Sequence, residues 1–119
     1  MEIFETQEYA REQIPSAGAH YRREILTNVH QAKNLGGVFC RLLPGSKLPY
    51  HYHENRESII MVIGGEGIEI VEGKETPIKA GDVLYIPAGE KHLMMTKSEE
   101  EIRYLEFFTP VGTDSVEVK

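Results

Sequence analysis

Gly45-Ser46-Lys47-Leu48-Pro49-Tyr50-His51-Tyr52-His53-Glu54-Asn55-Arg56-Glu57 carries two histidines and a carboxylate within seven residues. The segment reads as β-structure, and side chains on a strand alternate faces. His51 and His53 therefore point the same way, with Tyr52 opposed. Two adjacent imidazoles, with Glu57 just beyond, make half of a metal coordination sphere. The other half has to come from elsewhere in the chain, and His92 is the candidate.

The surrounding sequence is punctuated for strands. Eleven glycines and six prolines divide it into runs of about four to eight residues, too short for most helices. Tyr21–Thr27, Gly37–Leu43 and Ser58–Ile63 are rich in β-branched, aliphatic and aromatic residues. Gly67–Val71 alternates, Glu72-Gly73 supplies a turn, and Lys74–Ile78 returns, which predicts a hairpin because Gly tolerates positive φ. Asp82–Ile86, His92–Lys97 and Ile102–Phe108 complete the set. Many short strands with regular turn signals predict a sandwich or closed barrel. Helix is expected only as a turn within Thr6–Gln13. Ser98–Glu101 reads as a solvated loop, and residues 1–19 and 110–119 as an arm and a tail without clear pattern.

A chain of 119 residues is one domain, long enough for a single core. Its 19 acidic residues outnumber 13 basic ones, for a net charge of −6. That argues against nucleic acid or an anionic membrane surface as partner, since both require clustered positive charge. With Cys40 as the lone cysteine, no internal disulfide is possible. Together with an acidic N-terminus lacking a signal-peptide core, this predicts a cytoplasmic protein. No apolar stretch approaches the roughly 18 residues of a membrane-spanning helix.

The second half of the site lies in Gly81-Asp82-Val83-Leu84-Tyr85-Ile86-Pro87-Ala88-Gly89-Glu90-Lys91-His92: a strand, a Pro-X-Gly turn, and a histidine opening the next strand. The first segment runs Gly45, five residues, His51, one, His53, three, Glu57, six, Gly64. Sixteen further residues lead to Gly81, then five, Pro87, one, Gly89, two, His92. In residue type, spacing and order these two segments resemble both motifs of the cupin superfamily, over residues 45–96. The departure is Thr96, where the family's second motif ends in Asn, a position that is not a metal ligand in the family.

The resemblance implies an all-β fold: an antiparallel double-stranded β-helix, or jelly-roll barrel, of about six to eight or more strands. It also implies one divalent transition metal per chain, held near the barrel centre by His51, His53, Glu57 and His92. Three imidazole nitrogens and a carboxylate oxygen suit Fe, Mn, Co, Ni or Zn, and four protein ligands leave about two open positions in an octahedral site. Glycines 45, 64, 81 and 89 then serve the backbone at corners and turns.

Outside the motifs, His20 and His30 read as ordinary polar residues and Cys40 as a small buried hydrophobe. Met61, Met94 and Met95 read as core or pocket wall, and Tyr50, Tyr52, Tyr85 and Tyr104 as half-buried structural residues. Arg41 interrupts the apolar strand Val38–Leu43. Facing inward, it would hold a substrate carboxylate bidentately, but the pattern leaves its parity open.

One fold hosts many chemistries, and three functions fit. The first is a dioxygenase-type oxidoreductase acting on a small organic molecule. The second is a non-redox isomerase or decarboxylase using the metal as a Lewis acid. The third is a non-catalytic binding or sensing module. A homodimer is expected from the resemblance, through sheet packing or exchange of the arm bearing Ile3, Phe4, Tyr9 and Ile14.

Overall fold

The computed structural model describes residues 1–14, 20–27, 32–97, 99–111 and 115–118; His30 lies outside them. One short helix, α1 (Thr6–Tyr9), precedes ten strands: β1 (His20–Leu26), β2 (Gly36–Leu42), β3 (His51–His53), β4 (Glu57–Gly64), β5 (Glu66–Val71), β6 (Lys74–Lys79), β7 (Val83–Ile86), β8 (His92–Thr96), β9 (Ile102–Thr109) and β10 (Ser115–Glu117). They form two five-stranded sheets, ordered β1-β2-β9-β4-β7 and β10-β3-β8-β5-β6. Every pairing between named strands is antiparallel. This is the expected double-sheet barrel.

Alternation sets the two faces. Along β4 the odd positions are exposed and the even ones buried, from Glu57 to Gly64. β9 alternates likewise, with Ile102, Tyr104, Glu106 and Phe108 inward. Val38, Cys40 and Leu42 of β2 join Ile60, Val62, Ile86 and Ile102 in one core, met from the second sheet by Ile78 and Met94. The β5–β6 hairpin turns at Glu72 and Gly73, both with positive φ (48° and 82°), the backbone that a two-residue hairpin turn requires.

The structure settles the parity of Arg41 and corrects two expectations. Arg41 is on the outer face, because the adjacent Cys40 and Leu42 point inward. Its Nε donates to Glu101 at 2.9 Å and its guanidinium also reaches the Glu12 carbonyl, so it faces away from the barrel interior. Met61 is exposed on the outer face rather than in core or pocket. The C-terminal tail contains a strand, β10, which pairs with β3; three residues are too few for periodicity to reveal.

The arm folds back on its own barrel. Phe39 faces outward yet is fully buried, because Tyr9 and Tyr21 cover it with ring centroids 5.8 and 6.2 Å away. The Arg23 guanidinium lies 4.1 Å from the Tyr9 ring centre, and Glu12 accepts hydrogen bonds from Tyr21 and Arg23. A second, smaller apolar cluster thus closes the outside of the first sheet near β1 and β2.

Candidate metal centre

β3 and β8 pair at a single point in register, His51 opposite His92. Residues directly opposite on an antiparallel pair share a face, and His53, two residues along, shares it too. All three imidazoles therefore enter the barrel from one wall. Ring centroids of His51 and His92 are 4.4 Å apart, and those of His51 and His53 5.1 Å. One nitrogen from each ring lies within 4.8 Å of the others, so the three could hold a metal ion. The turn before His92 is tied to the same strand: the Gly89 N–H donates to the His53 carbonyl at 2.7 Å. Gly89 sits at φ 85°, in the left-handed region where an L side chain is strained.

Two of the rings are oriented from behind. His92 Nδ1 lies 2.7 Å from a Glu69 carboxylate oxygen, and Glu69, 2% exposed, comes from β5, which pairs with β8. His51 Nδ1 lies 2.7 Å from the Pro49 carbonyl. A carbonyl or carboxylate can only accept, so Nδ1 carries the proton in both rings and Nε2 presents a lone pair. His92 Nε2 is buried without a hydrogen-bond partner, which is costly unless something fills its lone pair. A divalent cation does so, and the pairing of ligand histidine with a buried carboxylate is the usual support for one. Burial, with the neighbouring His92 charge adding to it, holds His51 below its ordinary value despite the opposing Pro49 bond, which favours the neutral ligand form. The residues fit a metal.

Glu57 does not join them. As the first residue of β4 it falls on the exposed face, where its carboxylate accepts a hydrogen bond from the Tyr85 hydroxyl at 3.1 Å. The inward position next to it is Ser58. A spacing of three residues after His53 is thus one short of the parity that would turn a carboxylate inward. Among the described residues the donor set is three imidazoles, which leaves three positions open in an octahedral site.

The cluster opens into a cavity of about 510 Å³. Opposite the histidines, Arg56 and Glu106 form a buried ion pair at 2.7 Å, with the guanidinium stacked 3.8 Å from the Phe108 ring centre. Burial alone would raise the Glu106 carboxyl, but the charge and hydrogen bond of Arg56 outweigh it, and Glu106 is held below the usual carboxylate range. Glu69 moves the other way: burial raises it more than its bond to His92 lowers it. His20 and Tyr104 also line the cavity, hydrogen-bonded to each other. Neither stood out in the sequence, where a lone His before an apolar strand carries no signal. Inward parity on β1 and β9, the two strands that flank β2, is what places them, and that requires the register of all three strands. Cys40 is buried as expected, and burial pushes its thiol up to about 12.

Comparison with known proteins agrees with this architecture. The chain is 37% identical over 74 residues to the oxalate-binding protein of Thermotoga maritima, covering 60% of this chain and 61% of that one. It therefore spans about six-tenths of that relative's length. Among solved structures, a conserved Klebsiella pneumoniae protein with a double-stranded β-helix domain superposes with a TM-score of 0.84, over 100% of this chain and 98% of that one at 24% identity. A Thermotoga maritima protein described as a predicted oxalate decarboxylase superposes with a TM-score of 0.70 at 28% identity, covering 77% of this chain and 81% of that one. Residues 38–108 match the cupin domain family, from the first strand of the core to the last, and the chain belongs to that family.

Proposed function

We propose that this chain is a metal-dependent cupin that holds one divalent transition metal on His51, His53 and His92 and takes a small chelating organic acid on the metal's open face. The observation that carries the reading is the orientation of His51 and His92, fixed at Nδ1, with His92 Nε2 buried and unpartnered. A divalent ion there supplies a Lewis-acidic centre that two oxygens of one acid can chelate. The oxalate-binding name of one relative supports that ligand class. A cavity of about 510 Å³ also has room for acids considerably larger than oxalate. Arg56 does not serve as a free cation for a second carboxylate, because Glu106 already neutralises it.

Among enzymes, a dioxygenase-type oxidoreductase is the reading that the donor count favours, since three open positions accommodate a bidentate acid and dioxygen together. Isothermal titration of oxalate into Mn(II)-loaded protein should show stoichiometric binding that disappears without metal. No heat with either oxalate or larger 2-hydroxy acids would overturn the ligand assignment. Oxygen uptake by the Fe(II)-loaded protein with a bound acid separates the oxidoreductase from a decarboxylase or a binding module, neither of which consumes dioxygen.

The outer face of the first sheet leaves Ile59, Met61, Ile63, Val83 and Tyr85 between 37 and 63% exposed. An apolar row on a sheet face supports the homodimer reading. Light scattering of the full chain and of Val83→Lys should show a dimer and a shift toward monomer; a monomeric parent rejects the assignment. The protein is taken to act in the cytoplasm, in keeping with the lone buried Cys40. Among the described residues no helix is long and apolar enough to cross a membrane.

A further inference from the structure

We infer that Tyr104 is the hydrogen-bond donor that recognises an anionic oxygen of the bound acid, and that His20 is the positioning residue that turns the Tyr104 hydroxyl toward it. This rests on the metal-centred reading above and adds a contact from the opposite wall of the barrel. Tyr104 is on β9, in the sheet that faces the histidine cluster, and its side chain lines the same cavity while being only 2% exposed. The His20 ring lies parallel to it, with centroids 6.4 Å apart and planes 14° apart. Its Nε2 is 3.2 Å from the Tyr104 hydroxyl oxygen.

The inventory of donors decides what the hydroxyl can do. A phenol offers one O–H and accepts at its oxygen. Its lateral hydrogen-bond partner is His20. The imidazole can donate through Nε2–H in one of its two neutral tautomers. With His20 donating, the Tyr104 oxygen is satisfied laterally and its single O–H is available to the cavity. With His20 in the other tautomer, the O–H is committed to Nε2 instead. His20 thus determines whether the cavity presents a donor.

Charge at the site favours this use. Partial burial, together with the Arg22 charge, lowers His20 from its ordinary value against the pull of Glu106, which favours the neutral ring with its two tautomers. Burial, with the nearby Cys40 and Glu106 adding to it, keeps the Tyr104 proton in place well above the usual phenol range. Facing this pair are Arg22 and Glu24 of β1, Arg56, Glu106 of β9, Glu69 of β5 and the histidine cluster. Of the two cavity arginines Arg56 is neutralised by Glu106, so a neutral donor is a suitable partner for an acid already chelated by a cation.

The test uses Co(II)-loaded full chain titrated separately with oxalate and with azide, followed by the visible spectrum of the metal. Tyr104→Phe should keep stoichiometric Co(II) and bind oxalate about tenfold or more weakly, the loss expected for a hydrogen bond to a charged group. His20→Leu should weaken oxalate similarly. The double variant should be no weaker than Tyr104→Phe, because one device is removed. His20→Gln, whose amide N–H can donate to the phenol, should recover most of the affinity. Oxalate affinity within twofold of the parent in Tyr104→Phe overturns the inference. So do additive losses in the double variant, or no recovery in His20→Gln. A parent protein that loads Co(II) but responds to neither oxalate nor azide defeats the open-face reading itself, and this inference falls with it.

Discussion

Two walls of one cavity each bury a glutamate, and they treat it oppositely. On the histidine wall, Glu69 is raised by burial and backs His92 from 2.7 Å. On the facing wall, Glu106 is lowered, because Arg56 at 2.7 Å outweighs the same burial. The difference lies in the partner. A guanidinium brings a permanent positive charge and locks the neighbouring carboxylate in its ionised form. An imidazole brings a charge only on demand, so its carboxylate stays costly until a cation arrives on the other ring nitrogen. One wall is complete as it stands; on the other, the buried His92 Nε2 is left without a hydrogen-bond partner.

The largest test of that contrast is removal of a ligand. His92→Ala or His51→Ala should abolish stoichiometric metal binding, measured by elemental analysis after loading and desalting. Full metal retention in His92→Ala would remove that residue from the site and leave Glu69 without its explanation.

How much of this contrast the sequence announced differs between the walls. His51, His53 and His92 were legible because period-two alternation and family-like spacing both act over a few residues. Glu57 was misplaced by the same short-range reading. The chain leaves β3 at His53 and enters β4 at Glu57, and parity is not preserved across the intervening bend. Glu69 sat in an evident strand, but its bond to His92 depends on β5 pairing with β8 in register Glu69↔Met94. Arg56, Glu106, His20 and Tyr104 come from three segments brought together only by sheet order. The fold was legible because turns and strand lengths are local properties. The cavity wall was not, because its residues are set by register between distant strands.

The complete wall should be the more sensitive in stability. Arg56→Met leaves Glu106 buried and uncompensated, which should cost about 3–5 kcal/mol. The pH dependence should reverse with it. In the parent, the depressed Glu106 contributes stability present above its ordinary value of 4.5 and lost as pH falls through its lower folded value. In Arg56→Met, burial is opposed only by the weaker Ser58 hydrogen bond and the His92 charge and the carboxyl rises, so stability instead declines as pH rises above 4.5. Urea midpoints between about pH 4 and 8 read both. A parent-like acid limb in the variant would show that the pair is not what sets Glu106. Replacing both partners by apolar residues should recover much of the loss, since no charge is left buried alone.

The histidine wall should respond more gently, and through affinity. Glu69→Gln keeps an acceptor for His92 Nδ1 but removes its charge, and should weaken metal binding about 10- to 100-fold. In the metal-free protein the same change should flatten a slope. The raised Glu69 makes the native state bind more protons than the unfolded chain above 4.5, so parent stability falls as pH rises through that interval, and the Gln variant has no such fall. Glu57→Ala supplies the baseline. Its carboxylate is exposed and bound to Tyr85, so stability should change by no more than about 0.5 kcal/mol, with metal affinity unchanged. Equal losses of affinity in the two variants would mean that distance from the imidazoles is immaterial and that both carboxylates act only as remote charge. A loss confined to Glu69→Gln ties the effect to the hydrogen bond at Nδ1, and with it the division of labour between the two walls.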